Sequence, residues 1–256
     1  MGKALKKSEA GGLPAELANE MANDAGDGAE GITAADLAIP FLRILQQMSP
    51  QLAKRNGAFI DGAGEGDIFN TVTGQIWDPE EGVLVIPCSY NFKIIEWIPR
   101  DSGGGIANQY TRNDTLPPSE KDERGKDITG TGNQLTDTAE HYVLIVNSDG
   151  TYEQALITMS STQLKHSRRW NSLTQQQTIM TDDGPKTAPL YSRMYRLKTT
   201  GESKDDNNWS GWNITLEGPV EDLDLYRSAK AFCASVKGGD VLVKHELADG
   251  AEASVM

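Results

Sequence analysis

The chain is poor in the residues that build metal and nucleophile sites. It has two cysteines, three histidines and only 7% aromatic residues in a length of 256. Cys88 and Cys233 stand too far apart for a CxxC knuckle or a dense disulfide framework. Both lie in apolar stretches (VIPCSY and AFCAS) and read as buried, reduced thiols. His141, His166 and His245 are never within four positions of one another, and no HxH or HExxH occurs, which argues against a histidine zinc site. A Walker-type phosphate loop is missing too, so Gly103-Gly104-Gly105 reads as a turn. No run approaches ~18 uninterrupted apolar residues, so no membrane-spanning helix and no membrane partner are expected. The opening MGKALKKSEAGG has lysines but no apolar stretch behind them, unlike a secretory signal, and Ser8 is out of register for myristoylation. Spacing yields neither a Ser/His/Asp nor a Cys/His constellation. The expectation is a protein that is not an enzyme and needs no cofactor or metal.

What the chain has is glycine (26), proline (11) and acid. That composition fits a loop-rich β or α+β protein. Asp and Glu number 37 against 24 Lys and Arg, for a net charge of −13. Such a total argues against passive, histone-like coating of nucleic acid but leaves room for a local basic groove.

Residues 1–31 hold too few large apolar side chains to offset the entropy of ordering, which predicts a disordered or weakly helical acidic arm. Residues 32–245 read as one domain and 246–256 as a flexible tail. Thr33-Ala-Ala-Asp36 has capping-box spacing, and Phe41, Leu42, Leu45 and Met48 then share a helical face, so a short helix is expected up to Ser49-Pro50. Gly82 to Pro87 is a continuous apolar run, as in a strand buried on both faces. Tyr90 to Ile98 is a second strand whose broken alternation leaves room for a bulge. The polar stretch 106–138 is a long excursion from the sheet. Strands follow at His141–Val146 and Tyr152–Thr158, joined by a hairpin turn at Asn147–Gly150. Then come a helix from Ser160 or Ser161 through Leu173, paired strands at Leu190–Thr199 and Trp209–Leu216, and a helix from Val220 to Val236 closed by Gly238-Gly239. The fold class expected is α+β, mainly β: a barrel or curved antiparallel sheet with two or three helices and long loops.

The charge is segregated. Residues 1–40 carry 3 basic and 7 acidic side chains (−4), and 201–256 carry 5 and 11 (−6), whereas 160–200 carry 7 and 2 (+5). Lys165, Arg168 and Arg169 share one helical face, a row that suits successive phosphates. On the following strand Tyr191, Arg193 and Tyr195 alternate with Arg196 and Lys198. Rings and guanidinium planes on a pleated surface stack unpaired bases while cations hold the backbone. The candidate nucleic-acid-binding set is therefore Lys165, Arg168, Arg169, Trp170, Tyr191, Arg193, Tyr195, Arg196 and Lys198, with Lys93, Trp97 and Arg100 added from the neighbouring strand. The bland alternative is that the tyrosines are core and the arginines a solvated, ion-paired face. Asp78, Glu80 and Glu81 sit in a Trp-Asp-Pro-Glu-Glu-Gly turn and read as a solvated hairpin tip.

Three segments carry a family resemblance: Ile39 to Gln51 (IPFLRILQQMSPQ), Asp67 to Trp77 (DIFNTVTGQIW) and Gly82 to Arg100 (GVLVIPCSYNFKIIEWIPR) with the glycines after it. Together, over about residues 33–110, they resemble a group of tailed-phage proteins associated with single-stranded-DNA-binding proteins of OB-like fold. The resemblance implies a role in phage DNA replication or recombination in the cytoplasm of an infected bacterial host. It implies single-stranded DNA and phage replication or recombination proteins as partners, and no cofactor; the sequence leaves a homo-oligomer open and does not show the oligomeric state. One departure concerns the end, HELADGAEASVM, which is mildly acidic and lacks the terminal aromatic with which such proteins recruit partners. Two other readings fit the residues: a virion or scaffold protein without DNA affinity, and a Mg-dependent nuclease drawing on Asp67, Asp78 or Glu96.

Overall fold

Residue preference and long-range pairing divide the chain into one short helical unit and one large sheet. The computed structural model describes residues 14–31, 38–241 and 243. The expected capping box at Thr33–Asp36, His245 and the tail at 246–256 lie outside them, as do the first 13 residues of the arm. Within residues 1–37, a separate unit, helix α1 spans Ala15–Asn23 and exposes Leu17 and Met21 one turn apart. Its N-terminus has no side-chain cap.

From Ala38 onward the chain is mainly β. Strands β1 (Leu42–Ile44), β2 (Ile68–Asn70) and β3 (Ile76–Trp77) form a small antiparallel sheet. The main sheet has eight strands: β4 (Val83–Trp97), β5 (Ile106–Tyr110), β6 (Ser119–Lys121), β7 (Asp127–Thr129), β8 (Gln134–Val146), β9 (Tyr152–Ser160), β12 (Arg193–Lys204) and β13 (Asn207–Pro219). Its spine runs β13-β12-β4-β8-β7-β6, with β5 added to β4 and β9 to β8. Helix α2 (Leu164–Gln175) and the hairpin of β10 (Thr178–Thr181) and β11 (Gly184–Thr187) lie between β9 and β12 in the chain. Helix α3 (Leu223–Gly238) follows β13. The sheet is a curled antiparallel half-barrel, consistent with an α+β, mainly β, OB-like fold with three helices.

Alternation along the strands builds two cores. Val83, Val85, Val143, Ile145, Tyr195 and Leu197 point to one face and pack with Trp170 of α2 and with Leu42 and Ile68 of the small sheet. Ile86, Cys88, Tyr142 and Leu144 point to the other, under Ala229, Phe232 and Cys233 of α3. Both thiols are buried and unbridged. α3 starts where Asp222 accepts the Leu225 amide and stops at Gly239, whose φ of 80° ends the helix.

Two expectations are corrected. Residues 41–45 are extended, not helical. Phe41 and Leu42 point into opposite cores, the Pro40 carbonyl accepts the Leu156 amide, and β1 pairs with β2. Pro40 favours an extended residue before it, and tertiary pairing outweighs the helical spacing. The excursion 106–138 is sheet for much of its length. β5 pairs with the far end of β4, β7 with β8, and β8 starts at Gln134. β4 is likewise one 15-residue strand, with its register slipping between Pro87 and Ser89. A bulge there accommodates a proline that cannot donate to the ladder.

Candidate nucleic-acid interface

The cationic helix and strand predicted from sequence both form, but their side chains do not meet in one groove. α2 packs through Ser167, Trp170 and Thr174, which turns Arg168 and Arg169 to solvent. Neither has an ion-pair partner among the described residues. The helix has no side-chain cap and no acid in its first turn. Lys165, in that turn, is held by Glu202 of β12 at 2.9 Å. Burial raises the Glu202 pKa, but hydrogen bonds from Lys165 and Trp209 and the charge of His166 outweigh it and leave it lowered. His166 Nε2 lies 3.0 Å from the same carboxylate, and burial holds this imidazole below its usual pKa.

On β12 the two faces separate the candidates. Arg196 and Lys198 alternate with Tyr195 and Leu197 and therefore point away from the α2 face. Arg196 straddles Glu217, with Nε and Nη2 at 3.3 and 3.2 Å from its oxygens. Arg193 donates to the carbonyls of Ser192 and Thr178 and to Gln177 Oε1, so it ties the β10–β11 hairpin to the sheet. Lys93 reaches the fully buried Glu140 at 3.1 Å. Trp97 is half-buried at the end of β4, and Arg100 is exposed in the 3-10 turn Arg100–Ser102.

Of the three expected stacking rings, Trp170, Tyr191 and Tyr195, two are core. Trp170 is 1% exposed and Tyr195 0%. They belong to a chain of rings crossing the sheet under α2. Tyr195 meets Trp170 edge-on at 5.9 Å, Trp170 stacks on His141 at 4.5 Å, and His141 lies 5.0 Å from Tyr90. Neither Trp170 nor Tyr195 presents a face to a base. Tyr191 is half-buried against Tyr226 of α3 at 5.2 Å.

The half-exposed end of that ring chain continues along β4, through residues outside the expected nucleic-acid-binding set. Tyr90, Phe92, Ile94 and Glu96 share a face after the bulge. The Arg112 guanidinium lies over the Phe92 ring at 3.9 Å, and Tyr110 is registered beside Ile94. The available signal was the alternation in YNFKIIEW, which places Tyr90, Phe92 and Glu96 together. Glu96 is 5% exposed yet ionised, since bonds from Asn108, Asn133 and Tyr110 lower its pKa despite burial. Asp78 Oδ1 accepts the amides of Glu80 and Glu81 and closes their turn. Among the described residues no three or more His, Cys, Asp or Glu side chains gather to hold a metal.

The curled sheet and its cation-bearing helix define an α+β, OB-like protein class. Within it, the chain belongs to the Pam3 phage gp34-like protein family, whose model matches residues 7–242. It is thus a phage protein, as the resemblance over residues 33–110 implied. No curated protein and no solved structure matches it.

Proposed function

We propose that this phage protein binds single-stranded DNA with little sequence preference, and that it does so by contacts alone, without catalysing a reaction. The observation that carries the reading is the exposed, unpaired Arg168–Arg169 pair on α2. Both lie beyond the first turn of α2, point to solvent and have no ion pair among the described residues, so their charge is open to an outside anion. Phosphates of a flexible strand are such an anion. The Arg112–Phe92 stack and Tyr90, on the sheet face that α2 also covers, supply ring and guanidinium planes for bases. The acidic remainder of the chain limits indiscriminate binding to duplex. In this reading the protein works during replication or recombination in the infected host's cytoplasm, beside other phage proteins.

Fluorescence anisotropy with a labelled oligo(dT) at several salt concentrations tests it. Each phosphate neutralised contributes a log–log salt slope of about −0.7, so R168A/R169A should flatten the slope by about 1.4. An absence of binding at low salt overturns the reading. Co-purification with particles in that case would favour a virion or scaffold role.

A further inference from the structure

At the start of α2 three side chains converge on one carboxylate. Glu202 of β12 and Trp209 of β13 stand opposite each other in their hairpin, and Trp209 Nε1–H donates to Glu202 Oε2 at 2.8 Å. Lys165 Nζ of α2 lies 2.9 Å from Oε1, and His166 Nε2 lies 3.0 Å from the same oxygen. Gly211, two residues beyond Trp209 on the same face of β13, forms the floor. A Cβ there would come 2.8 Å from Glu202 Cδ and 3.0 Å from His166 Nε2, so the carboxylate and the imidazole occupy the place of a side chain. Glu202 and His166 are 15% and 12% exposed, but Lys165 is 56% exposed, so the niche opens to solvent on the Lys165 side. Among the described residues Glu202 is the only acid within ion-pair reach of α2.

We infer that this niche is a phosphate site, which Glu202 closes in the free protein and vacates when a phosphate of the DNA backbone enters. The inference rests on the single-stranded-DNA reading and adds to it a contact and a latch. A carboxylate and a phosphodiester each spread one negative charge over two oxygens, so donors that converge on the first suit the second. The Lys165 ammonium and the Trp209 indole N–H are such donors, with the His166 imidazole beside them. Arg168 and Arg169 follow one turn further along α2 and extend the cationic row to the next phosphates. Glu202 sits near the end of the β12–β13 hairpin on a flexible stem, so it turns out to water while the strands stay paired. With the latch shut, Lys165 is already neutralised and draws no phosphate. DNA has to compete with a carboxylate that is always present, and the apparent affinity falls by the fraction of time that the niche is closed.

The test compares wild type with Glu202→Ala in two titrations. Inorganic phosphate, followed by the indole N–H resonance of Trp209, should move that resonance in Glu202→Ala at concentrations that leave wild type unchanged. Lys165→Ala in the same background should abolish the movement. Labelled oligo(dT) should bind Glu202→Ala about fivefold more tightly than wild type, the ceiling for an ion pair this exposed, and Lys165→Ala should cancel the gain. Glu202→Gln keeps an acceptor for Trp209 and should also bind more tightly, which covers the case in which Glu202→Ala misfolds. Asp206→Asn removes an exposed acid from the turn of the same hairpin, outside the niche, and should change the affinity by less than about twofold. A gain as large in Asp206→Asn, a gain that survives Lys165→Ala, or a Trp209 resonance that phosphate never moves overturns the phosphate site alone. If phosphate moves the resonance but no variant binds oligo(dT), the niche is a free-phosphate site and the single-stranded-DNA reading falls.

Discussion

The side-chain amide of Gln46 pairs with both backbone groups of Ser210: Nε2 donates to the carbonyl at 2.9 Å, and Oε1 accepts the amide N–H at 2.9 Å. Ser210 lies on the free edge of β13, where no further strand follows. Gln163, just before α2, repeats the device one step on, accepting the Trp212 amide at 3.3 Å and donating to the Ser210 carbonyl at 3.2 Å. Two glutamines thus stand in for a missing strand, and they block an edge on which another chain could add.

Gln46→Ala should therefore leave the buried Ser210 N–H without a partner, at a cost of about 1–3 kcal/mol. Gln46→Glu keeps the acceptor and loses the donor, and should cost less, because Gln163 still serves the Ser210 carbonyl. Urea unfolding of the two variants gives this order. If Gln46→Ala is as stable as wild type, the edge is not sealed by this residue.

Gly82 holds the start of β4 against β12. Its φ is +66°, and an added Cβ would run into the Leu197 carbonyl oxygen, with the carbonyl carbon 3.0 Å away. Both obstacles are backbone, so no side-chain movement relieves them. Strain and clash together should cost Gly82→Ala about 3 kcal/mol or more. A thermal melt reads this directly, and an unchanged Tm would contradict the approach of the two strands.

Elements coded locally were legible in the sequence. The Asn147–Gly150 hairpin, α2, the β12–β13 pair and α3 with its closing glycine all form where turn residues and periodicity place them. Residues 39–48 were misread because helical spacing of Phe41, Leu42 and Leu45 is also the spacing of an extended segment serving two cores. The sheet character of 106–138 was hidden because β5 to β7 are polar strands held by pairing, β5 to β4, β7 to β8 and β6 to β7, rather than by burying an apolar face. In the site, the identity of the cations was legible but their pairing was not. Glu202 and Glu217, which engage Lys165 and Arg196, lie 37 and 21 residues from them along the chain, and only the β12–β13 register and the packing of α2 bring them close. Likewise a ring on a helix or a strand serves either core or ligand, and only the packing of α2 on the curled sheet makes Trp170 and Tyr195 core.

The ring chain gives a test of that reassignment. Trp170 Nε1 and the Tyr195 hydroxyl are buried, and neither has a hydrogen-bond partner among the described residues. Removing an unpaired buried polar atom relieves a desolvation cost. Tyr195→Phe should therefore be neutral or stabilising, and Trp170→Phe nearly neutral, since the lost area is offset. Trp170→Ala should cost about 3–5 kcal/mol through the cavity it opens beneath α2. Equilibrium unfolding gives the three values. The DNA affinity of Trp170→Phe and Tyr195→Phe should match wild type, because neither ring reaches solvent. A loss of affinity in either, at unchanged stability, would return that residue to the binding surface.

His141 makes the ring chain sensitive to pH. The imidazole lies between Tyr90 and Trp170, its Nε2 sits 2.8 Å from Ser167 Oγ, and burial lowers its pKa from 6.5 to about 3. No carboxylate in the described structure is paired with it to favour the charged form. The unfolded chain accepts a proton near the ordinary value, whereas the native state holds the ring neutral until about pH 3. The unfolded state thus binds more protons between those limits. The contribution of His141 is fully present above about pH 6.5 and is lost as the pH falls towards 3, by up to about 1.4 kcal/mol per unit. His166, also held below its usual pKa, adds a weaker loss of the same sign. Carboxylates titrate over the lower part of this range in any variant, so the informative quantity is a difference. The stability of wild type minus that of His141→Gln should be constant above pH 7 and shrink steadily from pH 6.5 to pH 4.5. A difference that stays flat across that interval would mean that His141 takes up its proton alike in the folded and unfolded chain.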